Sequence, residues 1–107
     1  MYVKVLTFEL SVEDQTDDGF AAFTKKLATK SLPQLRKFGL LDGYLVRASN
    51  ETIMTVNFYD SAEGAKSAFA QLTGTVAYAE SMGLKLIEHR DGPAYDLPLS
   101  LGSAGES

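Results

Sequence analysis

One histidine, an amide and a phenol two residues apart, a lysine inside an apolar run and an arginine beside a turn are the side chains here that could do chemistry. His89 is the only histidine in 107 residues. Imidazole is the side chain that ordinarily changes charge near neutrality, so His89 is a candidate general base. It stands beside Glu88 and Arg90, with no Ser, Cys or carboxylate at a dyad-forming spacing, so a structural or surface role competes. Asn57 and Tyr59 fall on one face of a strand, and a buried amide there must be hydrogen-bonded. Its partner could be a ligand, or it could be Arg47, Thr55 or a second subunit. Arg47 could clamp a carboxylate, or pair at the surface with Glu51 or Glu80. Lys4, if buried, could bind or attack a carbonyl through its amine; near the chain terminus its stem could instead reach water.

These side chains need a scaffold, and the apolar spacing describes one. Tyr2 to Leu10 reads as a strand with two apolar faces: Tyr2, Leu6, Phe8 and Leu10 on one, Val3 and Val5 on the other. Such a strand needs cover on both sides. Ser11 to Gly19 is an acidic connection whose charge suits the start of a helix. Phe20, Phe23, Leu27 and Ala28 form a helical stripe, and Gly39 is a helix stop. Pro33 interrupts the pattern, either as a kink or as the start of a second segment capped by Ser31 and carrying Leu32, Leu35 and Phe38.

Leu41 to Ser49 and Glu51 to Tyr59 alternate as the two arms of a hairpin turning at Asn50-Glu51. In the second arm Met54, Val56 and Phe58 are the more uniformly apolar set, and that face is assigned to the helices. Ile53, Thr55, Asn57 and Tyr59 then face away. A second helix is expected from about Asp60 to Ser81, with Asp60 and Glu63 as a capping box and a local break near Gln71 to Thr75, around Gly74. Leu84 to Arg90 is the last strand. The order is βαββαβ, a ferredoxin-like plait: an antiparallel four-stranded sheet with two helices on one face. Residues 1–92 form that domain. Residues 93–107 form a C-terminal extension, partly docked through Tyr95, Leu97, Leu99 and Leu101 and mobile at its end.

Composition excludes several roles. The net charge of −4 argues against a nucleic-acid binder, which needs a basic surface. No apolar run approaches the ~20 residues that span a bilayer. The N-terminus runs directly into a strand, which makes cytoplasmic residence the expectation. With no cysteine there is no thiolate nucleophile or thiolate metal site. The run from Glu13 to Asp18 lacks the EF-hand ligand order, so no metal and no cofactor are expected. The lysines and arginine of Lys25, Lys26, Lys30, Arg36 and Lys37 read as a solvated helix face.

Leu41-Asp42-Gly43-Tyr44 and Tyr59-Asp60-Ser61-Ala62-Glu63 carry a resemblance. A Gly-aromatic start to the second strand, and a third strand closing on an aromatic before an acidic-Ser helix start, resemble the dimeric α/β barrel superfamily, in particular its antibiotic biosynthesis monooxygenase-like group. The resemblance covers roughly residues 1–92. It implies two plaits pairing sheet to sheet as a homodimer, with a pocket between sheet and helices or inside the barrel. It also implies a cofactor-independent oxygenase or isomerase acting on an aromatic or polyketide-like molecule. The chain departs from the haem-degrading members, which use Trp and His on the second helix; this chain has no Trp. The other function class is a non-catalytic small-molecule-binding or interaction module on the same dimer.

The site expected from these readings is lined by Asn57, Tyr59 and Arg47, with His89 near its mouth and Leu6, Leu45 and Ile53 as its apolar wall. An amide, a phenol and a guanidinium against such a wall suit a phenolic or enolate ligand, because donors orient the oxyanion and the wall excludes water.

Overall fold

A computed structural model describes residues 1–70 and 83–97. The elements in chain order are β1 (Tyr2–Glu9), a 3-10 turn (Glu13–Gln15), α1 (Asp17–Lys26), a π-helical turn (Leu27–Ser31), α2 (Leu32–Arg36), β2 (Leu40–Arg47), β3 (Thr52–Tyr59), helix α3 (described over 62–70) and β4 (Lys85–Pro93). The sheet is antiparallel with order β2-β3-β1-β4, the ferredoxin-like arrangement.

Local chemistry accounts for the boundaries. Thr16 caps α1: its hydroxyl accepts from the Gly19 backbone N–H at 3.0 Å, so the acidic stretch read as a connection already contains the first helical turn. At Pro33 the helix widens: the Leu32 N–H reaches back to the Leu27 carbonyl, five residues away. A proline has no N–H to give, and its ring would meet the carbonyl four residues back, that of Thr29. One extra residue in the turn relieves both conflicts. Gly39 ends the helical region at φ 87°, and a Cβ there would lie 2.3 Å from the Asp60 carboxylate. Ser61, rather than Asp60, caps α3, its hydroxyl accepting from the Gly64 N–H at 3.1 Å. The expected break near Gln71 to Thr75 lies outside the described residues.

The core lies between the sheet and the helices. Leu6, Phe8, Leu10, Phe23, Ile53 and Leu84 form its main cluster, and Tyr59, Ala65 and Ala68 a second one. This inverts the face assigned to β3. Ile53 and Tyr59 are sealed under the helices, whereas Met54, Val56 and Phe58 alternate onto the open face, where Phe58 meets Tyr44 edge-on at 6.2 Å. Both faces of β3 are apolar, so period two sorted its residues correctly into sets without saying which set the helices would cover. The open face also carries Val3 and Val5, half-buried, and Tyr44 and Val46, exposed.

β4 runs to Pro93, past the expected Arg90, and the Ala94 N–H donates to the Met1 carbonyl. Tyr95 and Leu97 are exposed. Leu99 and Leu101 lie outside the described residues.

Candidate functional site

The hairpin register places one set of site residues side by side. Gly43 pairs with Asn57, Leu45 with Thr55 and Arg47 with Ile53. Partners across an antiparallel pair share a face, here the helix face. α1 crosses above them, and between the two layers lies a cleft of about 430 Å³ lined by Phe20, Leu27, Leu35, Leu45, Arg47 and Asn57 among others. Its wall is largely aliphatic. Gly43 makes room for the amide: a Cβ at this position would sit 2.9 Å from Asn57 Oδ1.

Arg47 is held on three sides. Its guanidinium lies 4.4 Å above the Phe20 ring, Nη2 donates to the Gln15 carbonyl at 2.6 Å, and Nη1 is 3.7 Å from the exposed Asp17 carboxylate. Its Nε is buried without an acceptor. A buried donor left unmet costs about 1–3 kcal/mol, so an acceptor brought to this N–H would be stabilising. Asn57 makes no side-chain hydrogen bond among the described residues, which leaves its amide free as donor and acceptor.

Arg47, Asn57 and Leu45 therefore come together as the sequence reading groups them, on the opposite face of the sheet from the one expected. Leu6 and Ile53 lie in the adjoining core cluster. Tyr59 stands apart from the cleft lining, packed with Ala65, Ala68, Tyr2 and Phe38. Burial alone pushes its phenol up to about 12, so it stays protonated throughout the neutral range. His89 is also elsewhere. It lies on β4 opposite Leu6 of β1, with two strands between it and β2.

There it joins a second polar group that the sequence did not assemble. Lys4 is buried, and its Nζ lies 3.2 Å from His89 Nε2 and 3.4 Å from Asp91 Oδ2. It also sits 4.0 Å from the centroid of Phe69, whose ring stacks on His89 at 4.3 Å. The Tyr2 hydroxyl donates to Asp91 Oδ2 at 2.9 Å. That bond, aided by the Lys4 charge, holds the Asp91 carboxyl below the ordinary carboxylate range, and it raises the Tyr2 phenol in turn. The strand alternation signalled Lys4 and His89 separately; only the β1–β4 register, which pairs Lys4 with Asp91 and Leu6 with His89, brings them together.

A further hollow of about 700 Å³, bordered by Glu13, Asp14, Lys26 and Gly83, collects none of the site residues. Among the described residues no three His, Cys, Asp or Glu side chains converge as a metal site would require, and no helix is long and apolar enough to cross a membrane.

No family model matches the chain, and no curated protein matches it. Solved structures do. HapK from Hahella chejuensis superposes with a TM-score of 0.65 at 14% identity, over 89% of this chain and 93% of HapK. A dimeric ferredoxin-like protein from an uncultured marine organism gives 0.61 at 18%, over 90% and 95% of the two chains. A candidate antibiotic biosynthesis monooxygenase from Chloroflexus aurantiacus J-10-fl gives 0.57 at 16%, over 90% and 95%. At such identities the likeness is one of fold. It is the fold shared by dimeric ferredoxin-like and antibiotic biosynthesis monooxygenase-like proteins, across nearly the whole chain.

Proposed function

We propose that this chain binds a flat, largely apolar molecule of aromatic or polyketide-like character in the cleft between β2–β3 and α1, and that it works as a homodimer. The observation that carries the reading is a largely aliphatic cleft whose lining holds both Arg47, with its Nε unmet, and Asn57, with no side-chain hydrogen bond among the described residues. Donors of these two kinds in one cleft suit the oxygens of an enolate or phenolate ligand, and the aliphatic wall excludes water. Monooxygenase-like chemistry on such a substrate, with no cofactor, is the enzymatic form of this proposal. The candidate monooxygenase among the structural neighbours supports it at the level of fold. The dimer is supported by the open sheet face, where Tyr44, Val46, Met54, Val56 and Phe58 form a contiguous apolar surface. One of the structural neighbours is itself described as dimeric.

A binding role without turnover is the second reading. It is favoured by the placement of Tyr59 and His89 outside the cleft, which leaves no His, Asp or Glu among the described residues that line it. Native mass spectrometry of the purified protein, followed by aerobic incubation of whatever aromatic is recovered, separates the two. Turnover that falls at least tenfold in Asn57→Ala, with assembly unchanged, supports the enzyme. Retention of the molecule without turnover supports the binder. Retention undiminished in both Asn57→Ala and Arg47→Met would remove the cleft from either reading.

A further inference from the structure

The polar group on the β1–β4 half carries an inference independent of the cleft. A lysine ammonium has three donors and no acceptor. Lys4 Nζ faces Asp91 Oδ2 at 3.4 Å and His89 Nε2 at 3.2 Å. Nε2 must then be the acceptor, because an Nε2–H would point a hydrogen at three others. A neutral imidazole that accepts at Nε2 carries its proton on Nδ1. Phe69 fixes the ring plane by stacking at 15° and covers one face of the imidazole. The His89 side chain keeps 27% of its surface exposed, and Nδ1 has no partner among the described residues.

We propose that Lys4 is a positioning residue: by occupying His89 Nε2 it fixes the ring as an Nδ1–H donor that takes the oxygen of a neutral carbonyl compound. The ligand class follows from the charges nearby. Lys4 and Asp91 cancel locally, so no net positive charge is left beside the ring to draw in an anion. A ketone or aldehyde oxygen accepts the Nδ1–H without the cost of desolvating a charge, and Phe69, stacked on the ring, offers an apolar neighbour to an aromatic body. The role assigned to His89 is hydrogen-bond donation to a carbonyl, the opposite of the general base suggested by its residue type.

Because His89 is the only histidine, long-range 1H–15N spectra of the full chain read it without ambiguity. In mildly alkaline buffer, where an ordinary imidazole is neutral, Nδ1 is expected to resonate as a protonated nitrogen and Nε2 as an unprotonated one. Lys4→Met should lose this pattern, its two nitrogens moving toward an averaged shift, and Lys4→Arg, which also only donates, should restore it. Acetophenone should then shift the Nδ1 resonance of the unsubstituted protein, and benzoate should shift it less. A protonated Nε2 in the unsubstituted protein overturns the assignment whatever the variants do. A larger shift with benzoate, or none with either probe, overturns the carbonyl site.

Discussion

The two halves of the sheet treat their polar side chains in opposite ways. On the β1–β4 half, Lys4, His89, Asp91, Tyr2 and Phe69 satisfy one another through an ammonium, a carboxylate and a stacked ring. On the β2–β3 half, Arg47 is anchored by Phe20 and Gln15 yet keeps a buried N–H unmet, and Asn57 stands free beside an open cleft. A polar group that its own chain satisfies stabilises and specifies. One held rigid but unsatisfied costs stability unless something else completes it. The contrast sets a half whose polar groups are tied to one another, with only the His89 Nδ1 edge left over, against a half whose donors are held but unmet, although the strand residues of both share one face of one sheet.

The largest effect should come from the floor under both halves. Ile53 is fully buried in the main cluster, so Ile53→Ala should cost about 2–5 kcal/mol in urea unfolding. Phe58→Ala, on the open face, should cost less in unfolding and act instead on association, raising the dimer dissociation constant in sedimentation. A reversal of those two outcomes would mean that β3 is turned the other way. An unsubstituted chain that stays monomeric at micromolar concentration would remove the proposed dimer.

A smaller effect is confined to the cleft half. Gly43→Ala puts a methyl 2.9 Å from Asn57 Oδ1, which forces the amide to move. Retention of the cleft ligand should fall about tenfold, or ~1.4 kcal/mol. The His89 nitrogen shifts should stay where they are. Movement of both readouts together would show that the halves are coupled.

The smallest effects are those of pH. The Tyr2 hydrogen bond, then the Lys4 charge, lowers the Asp91 carboxyl below its ordinary 3.8. A depressed carboxylate stabilises the fold above its unfolded pKa, and this contribution disappears as pH falls through the lower folded value. Urea midpoints of the unsubstituted protein should therefore drop below about pH 4, more steeply than those of Asp91→Asn. At the other extreme the Tyr59 phenol, raised from 10.0 to about 12 by burial, favours the fold at lower pH. Its contribution is lost as pH rises from 10 toward 12. Tyr59→Phe should flatten that alkaline decline, as followed by far-ultraviolet circular dichroism.

Much of this contrast was readable from residue spacing. Alternation placed Leu45 and Arg47 with Thr55 and Asn57, and the register bears that grouping out. Their side of the sheet was not readable, because Met54, Val56 and Phe58 are as apolar as the sets the helices cover. Which set is covered depends on where Phe23 and Ala65 arrive from other elements. Lys4 illustrates a different limit. From its place near the terminus a stem reaching water was the stronger reading, yet Lys4 is buried. Burial prevails because Asp91 and His89, more than eighty residues later, supply acceptors. Thr16 was legible in principle, since Thr-Asp-Asp-Gly is good capping chemistry, but the acidic side chains around it suit a helix start equally well and leave the capping residue open.

The π-helical turn at Leu27–Ser31 keeps the two ends of the cleft's roof in step. The turn holds one residue more than an α-helix would. Deleting one residue within it would close it to an ordinary α-turn: Phe20 and Leu35 would keep their sides of the helix, but the Pro33 ring would then meet the carbonyl four residues back. The extra residue works as an expansion joint: it lets a proline stand within the helical layer that roofs the cleft while the side chains before and after it stay in phase.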